Sequence, residues 1–148
     1  MPTYRVTSAN LTLSQEQKLQ IARAITTAHS AQTGAPGFLA QVFFSSVDEG
    51  DHFIGGAANS SPYIFVSGFI RSGRSTDTKQ DLMNDVLEQL SKIAGITPED
   101  IWIYLQEIPP AQMIEFGRFL PTPGQEEEWK KAISSKKQTD FSGANISF

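Results

Sequence analysis

Proline at position 2, directly behind the initiator methionine, can do chemistry at that one place in a chain. Methionine is normally trimmed in front of a small residue, and trimming here would leave Pro2 as a free secondary amine. An α-amino group titrates at about 7.7–8.0, so a modest shift makes it an acid or a base near neutrality without metal or cofactor. A proline in second place is also an ordinary start to a chain, so its meaning depends on its company. That company is His29 on a helix, Arg71 and Arg74 at a turn, and Tyr104 and Glu115 late in the chain.

Arg71-Ser72-Gly73-Arg74 is the sharpest local signal. Two cations sit where a helix begins and where the macrodipole already carries positive charge, a costly placement unless something negative is bound. Helix-start N–H groups and two guanidinium forks together make a receptor for a carboxylate or a small phosphate. The alternative is two solvated surface arginines, or a pairing with an acid of a neighbouring subunit. His29 follows Ile25 by one turn on an apolar stripe, so it faces the sheet, either as a satisfied core histidine or as a donor to a substrate carboxylate. His52, beside Asp51 in a polar loop, reads as surface.

Tyr104 shares a strand face with Trp102 and Gln106, while Ile101, Ile103 and Leu105 take the other. Its hydroxyl then ends in a mostly apolar setting and demands a partner, whether it packs or reacts. Glu115 lies between Ile114 and Phe116, where burial would lift its pKa toward the general-base range; an ion pair with Arg118 is the competing reading. Glu126-Glu127-Glu128 reads as a solvated face ahead of Trp129.

The elements that must position these groups follow from length and pattern. With 148 residues and 39% hydrophobic content, the chain is long enough for one domain with a core. Sixteen acidic against twelve basic side chains leave no basic excess for a phosphate backbone, so nucleic acid is not an expected partner. There is no cysteine and there are only two histidines, so neither a thiolate site nor an imidazole metal cluster is expected, and no cofactor is implied. No stretch approaches the roughly 18 apolar residues of a membrane span and the start has no apolar signal core, so the expectation is a cytoplasmic protein without membrane contact.

Residues 3–8 alternate as a strand, and Thr12-Leu13-Ser14 caps a helix carrying Leu19, Ala22, Ile25, Ala28 and His29. Gly34, Pro36 and Gly37 end it, and a strand is expected over residues 38–44, with a short edge strand at His52-Phe53-Ile54. The order then returns: a strand over residues 63–70, a helix capped by Ser75 with core positions Leu82, Val86, Leu90 and Ile93 ending at Gly95, and a strand over residues 101–105. This reads as an α+β fold of two tandem β-α-β units, spanning about residues 2–60 and 61–120 of a single domain over 1–133, with a polar C-terminal arm over 134–148. Two such crossovers on one four-stranded sheet place both helices on one face and leave the other apolar and uncovered, which calls for a closed symmetric oligomer.

The whole set resembles the tautomerase superfamily, most closely its cis-3-chloroacrylic acid dehalogenase branch, over roughly residues 2–130. The resemblance rests on Pro2, the helix end Ala24-Ile25-Thr26-Thr27-Ala28-His29, the Phe38-Leu39-Ala40-Gln41-Val42 segment, Arg71-Ser72-Gly73-Arg74-Ser75, Trp102-Ile103-Tyr104, and the run from Gln112 to Pro121. It implies tandem β-α-β units assembled as a homotrimer and a small carboxylate as substrate. It further implies that a protonated Pro2 delivers a proton to C2 of a 3-halo-acrylate, that Arg71, Arg74 and His29 hold the carboxylate, and that Glu115 and Tyr104 activate water for C3. Relatives carry Glu-Tyr-Gly-Arg where this chain has Glu115-Phe116-Gly117-Arg118, so a hydroxyl near the acid is missing. The same six side chains would serve a hydratase of other unsaturated acids. A keto-enol tautomerase of 2-oxo acids would need only a neutral Pro2 and the arginine clamp, and a non-catalytic trimeric interaction protein could retain the pocket.

Overall fold

The computed structural model describes residues 2–122 and 124–137, without the side chain of Phe38. A four-stranded sheet organises the chain. Strand β1 (Thr3–Ala9) leads into helix α1 (Gln15–Thr33) and strand β2 (Gln41–Val47). A two-stranded hairpin, β3 (Phe53–Ile54) and β4 (Ala57–Ala58), precedes β5 (Tyr63–Arg71), helix α2 (Thr76–Ala94) and β6 (Ile101–Ile108). A second small hairpin, β7 (Ile114–Glu115) and β8 (Arg118–Phe119), and a short helix α3 (Glu126–Lys131) follow.

The sheet order is β2-β1-β5-β6. Each β-α-β unit contributes one parallel pair, β1 with β2 and β5 with β6, and the two units join through antiparallel β1 and β5. The repeated strand-helix-strand order thus becomes one mixed sheet of the α+β class. Its two long helices pack side by side, with Gln17 Nε2 donating to the Ile93 carbonyl at 3.1 Å and Gln32 Nε2 to Asp85 Oδ2 at 2.7 Å.

Both helices start and stop where their residue types dictate. Ser14 caps α1 in a reciprocal capping box with Gln17, and Ser75 caps α2 by accepting from the Thr78 N–H. Gly34 and Gly95, each at φ 69°, take the left-handed conformation that closes a helix and that a side chain resists. The core lies between helices and sheet: Ile21, Ile25, Leu82, Val86 and Leu90 meet Val6, Ile64, Val66 and Ile70. Along α1 the buried stripe runs through Ile21, Ile25, Ala28 and His29, whereas Leu19, expected on that stripe, is largely exposed.

Strand β2 occupies residues Gln41–Val47 rather than the expected 38–44. Pro36 and Gly37 open a 3-10 turn over Gly37–Leu39, and the Ala40 N–H closes it on the Gly37 carbonyl at 3.0 Å. The chain reaches the sheet at Gln41, whose N–H donates to the Pro2 carbonyl at 3.1 Å. The edge strand expected at 52–54 forms instead within the separate β3–β4 hairpin.

The face away from the helices carries Phe43, Phe69, Trp102 and Tyr104, all exposed in the single chain. This is the uncovered apolar face anticipated from the topology. Among the described residues no helix is long and apolar enough to cross a membrane. Most of the polar arm expected over 134–148 lies outside the described residues.

Candidate active site

At one end of the sheet, the start of β1, the end of α1, the end of β5 and the loop before α2 converge on a cavity of about 380 Å³. Pro2, His29, Arg71 and Arg74 all line it. Pro2 is buried, and the Gln41 bond to its carbonyl fixes the start of the chain against β2. The loop carrying Arg74 is held from below by β6. Glu107 accepts from the backbone N–H groups of Gly73 at 3.1 Å and Arg74 at 3.3 Å, and from Lys79 Nζ at 2.8 Å. The Lys79 hydrogen bond is the main reason the Glu107 carboxyl sits below its usual pKa range.

His29 is 5% exposed, and its Nδ1 lies 2.8 Å from the Tyr4 hydroxyl. Burial, followed by the positive charge of Arg74, lowers the imidazole from 6.5 to about 4, so it is neutral at pH 7. Burial likewise drives the Tyr4 hydroxyl well above its ordinary pKa. A protonated tyrosine in a dry site must donate, and His29 Nδ1 is its hydrogen-bond partner among the described residues. Donation from Tyr4 to Nδ1 leaves the ring proton on Nε2. His29 is therefore built as a neutral N–H donor, with its tautomer set by Tyr4.

Arg71, 7% exposed, is spoken for: Nη2 donates to Glu126 Oε1 at 2.7 Å and Nη1 to the Pro121 carbonyl at 3.3 Å. Glu126 Oε2 accepts from the Gly124 N–H at 2.7 Å. Burial opposes ionisation of Glu126, but these hydrogen bonds prevail and hold its carboxyl below the usual range. Helix α3 is anchored by Trp129, whose Nε1 donates to the Phe119 carbonyl at 2.9 Å and whose ring packs with Leu39, Leu120 and Ile133 in a second small core. Phe116 meets that indole edge-on, with centroids 5.9 Å apart. The aromatic ring that lacks a hydroxyl is thus part of the packing that seats α3. In the acidic run at 126–128, expected to be a solvated face, Glu127 and Glu128 are exposed, with Glu127 at the rim of the cavity, whereas Glu126 turns in to Arg71 at the cavity wall.

Arg74 differs from Arg71. Among the described residues its guanidinium has no hydrogen-bond or ion-pair partner, although it lines the same cavity. Burial, then the charge of Arg71, lowers its pKa from the ordinary value, opposed by Glu126 and Glu107. A guanidinium stays protonated throughout, so Arg74 is an open cation in the cavity wall.

Tyr104 and Glu115 are not brought to this cavity within the single chain. Tyr104, 59% exposed, stands on the uncovered sheet face, edge-on to Phe65 with centroids 5.1 Å apart. Glu115 is half-buried and pairs in register with Arg118 across the β7–β8 hairpin, whose turn residues Phe116 and Gly117 have φ of 53° and 76°. Its neighbour Ile114 is exposed rather than packed over it.

Three residues of the site escaped sequence reasoning. Tyr4 carried a usable signal: it alternates with Val6 on the core face of β1, so its hydroxyl had to find a partner. Gly68, opposite Tyr4 in the sheet, carries no side chain because a Cβ there would lie 2.7 Å from Tyr4 Cε1 and 2.6 Å from Leu105 Cδ2. Glu126 had no signal beyond its charge.

Comparison with known proteins places these features in context. The family model Tautomerase_3, described as "Putative oxalocrotonate tautomerase enzyme", matches residues 1–135. A crystal structure of N1, a member of the cis-3-chloroacrylic acid dehalogenase family, is 33% identical, with a TM-score of 0.86 over 95% of this chain and 99% of that one. FG41 malonate semialdehyde decarboxylase inhibited by 3-bromopropiolate is 23% identical, with a TM-score of 0.65 over 89% of this chain and 99% of that one. A fused 4-OT solved as a symmetric trimer is 19% identical, with a TM-score of 0.69 over 75% of this chain and 89% of that one. The last two likenesses concern the fold. No curated protein matches the chain.

Proposed function

The chain belongs to the tautomerase superfamily as a cis-3-chloroacrylic acid dehalogenase-like protein, and from that premise we propose that it adds water to small 3-halo- or otherwise α,β-unsaturated carboxylates by means of an amino-terminal Pro2. The observation that carries the proposal is the meeting of Pro2, His29, Arg71 and Arg74 around one cavity. A secondary amine beside two guanidinium groups and a neutral imidazole N–H suits proton transfer to a carboxylate held by the cations.

With Met1 removed, the Pro2 ammonium gives its proton to C2 of the alkene. The carboxylate is received by the arginine pair and His29, which draws electron density from the double bond and makes C3 electrophilic. Glu115 takes one proton from water, which the Tyr104 hydroxyl helps to hold, as the water oxygen bonds to C3. A 3-halo substrate then becomes a halohydrin, which loses halide and a proton to leave an aldehyde acid. For 3-chloroacrylate the balance is substrate plus water to malonate semialdehyde plus hydrogen chloride.

A homotrimer is part of the proposal. The exposed Phe43, Phe69, Trp102 and Tyr104 form an apolar face that a second chain would cover, and a fold relative is a trimer. Tyr104 stands on that face, so assembly is how it would join a site built across chains. The cavity also favours a second reading by one specific observation: the residues that meet in it include Pro2 and both arginines, which are all that a keto-enol tautomerase needs. Such an enzyme would use neutral Pro2 to move a proton in a 2-oxo acid, without water activation.

A proton NMR time course with cis-3-chloroacrylate, run beside the Pro2→Ala variant, tests the proposal. Malonate semialdehyde or its hydrate is expected with the wild-type chain and not with the variant. Ketonisation of an enol acid without turnover of the chloroacrylate would select the tautomerase reading. Turnover that survives Pro2→Ala would overturn both.

A further inference from the structure

The charges around the cavity are not evenly available. Arg71 is engaged by Glu126 and by the Pro121 carbonyl, and Lys130 is paired with Glu127 at 2.7 Å, whereas the Arg74 guanidinium has no such partner among the described residues. Glu126 is not free to swing away: its second oxygen is tied to the Gly124 N–H, and Trp129 pins the helix that carries it. One arm of the arginine pair is therefore already filled by a carboxylate belonging to the chain itself.

We infer that Glu126 is a specificity-determining residue that restricts the cavity to substrates with a single carboxylate, bound at Arg74 and His29. The inference rests on the carboxylate-binding reading given above and narrows it. A monoanion meets the open guanidinium and the imidazole N–H. A dianion extending toward Arg71 would bring its second carboxylate against Glu126, with Glu127 also on the wall. Like charges at contact distance in a partly dry site are repelled strongly enough to exclude a ligand. Phe116, packed edge-on against Trp129, supports this arrangement by holding α3 in place.

The test is calorimetric titration at pH 7.5 of the full-length protein with two saturated ligands of one carbon skeleton, butanoate and succinate, which have no double bond to hydrate. The wild type is expected to bind the monoanion about tenfold or more tighter than the dianion. In Glu126→Gln, which keeps a hydrogen-bonding group for Arg71, that ratio is expected to narrow by about tenfold, mainly through tighter succinate binding. Wild-type protein that binds succinate as tightly as butanoate overturns the inference without any need for the variant. So does a Glu126→Gln protein, shown folded by circular dichroism, that changes both affinities by the same factor. Failure of the folded wild type to bind either ligand would instead remove the carboxylate site itself, and with it the reading on which this inference stands.

Discussion

The Tyr4 hydroxyl lies 2.8 Å from His29 Nδ1, joining the first strand to the last turns of α1 inside the core. The rings meet edge-on, with centroids 5.9 Å apart and planes at 74°. This bond turns a buried histidine into a neutral donor of fixed orientation next to Pro2. It also couples the site to the packing of the sheet, because the Tyr4 ring lies over Gly68.

Removing the hydroxyl in Tyr4→Phe leaves a buried imidazole nitrogen without its partner. The expected loss is about 1–3 kcal/mol of unfolding free energy. The tautomer also becomes free to change, so carboxylate affinity should fall as well. Urea unfolding and ligand titration of the same variant check this; an unchanged midpoint with unchanged affinity would contradict the positioning role.

Gly68→Ala probes the same geometry from the other side. The new methyl would stand 2.6 Å from Leu105 Cδ2 and 2.7 Å from Tyr4 Cε1, so both side chains must give way within a packed interior. Destabilisation of about 1–3 kcal/mol is expected. A double variant that also shortens Leu105 to alanine relieves only the Leu105 contact, so the Tyr4 ring must still move. A two-dimensional NMR spectrum reporting the His29 ring should therefore be perturbed in the single and the double variant alike, and an unperturbed spectrum in either would contradict the close approach.

Acid should weaken the fold through His29 in a defined window. The unfolded chain takes up a proton near the ordinary value of 6.5, while the folded chain resists until about 4. The unfolded state thus binds more protons as pH falls between these values, and stability falls with it, by on the order of 3 kcal/mol across the window. Glu126 and Glu107, whose carboxyls are held below their usual range, lose their contributions at still lower pH and in the same direction. Comparing denaturant midpoints of wild type and His29→Gln from pH 7 to 4 isolates the histidine: the wild type should show the steeper decline.

Much of this arrangement could be anticipated. Pro2, His29, Arg71 and Arg74 meet where the alternation of β1, the stripe of α1 and the turn before α2 had put them, since helix period and cap residues are local properties. Strand β2 begins three residues later than expected because its start is decided by pairing with β1 at Pro2 and Thr3, a contact across the chain. Glu126 was invisible for a similar reason. Three consecutive acids look solvated until the docking of Trp129 shows where α3 lies, and no local pattern encodes that docking. Tyr104 stayed apart from the cavity because its position on an uncovered face has meaning only in relation to another chain.

The two arginines should respond differently to truncation. Arg74→Ala removes the open cation and should weaken carboxylate binding by about tenfold to a hundredfold with little change in stability. Arg71→Ala strands the Glu126 carboxylate and the Pro121 carbonyl, and should cost about 1–3 kcal/mol of unfolding free energy. Parallel thermal unfolding and ligand titration of the two variants separate these outcomes, and equal effects on both readouts would contradict the division of labour.

The central claim is that Pro2 presents a titrating amine inside the cavity beside His29 and Arg74. The most direct measurement is a pH titration of the Pro2 nitrogen by ¹⁵N NMR in protein labelled at proline, with and without butanoate. The account predicts a secondary-amine resonance that moves with pH, with a midpoint displaced when the ligand binds. A Pro2 nitrogen that resonates as an amide and does not move with pH would contradict it.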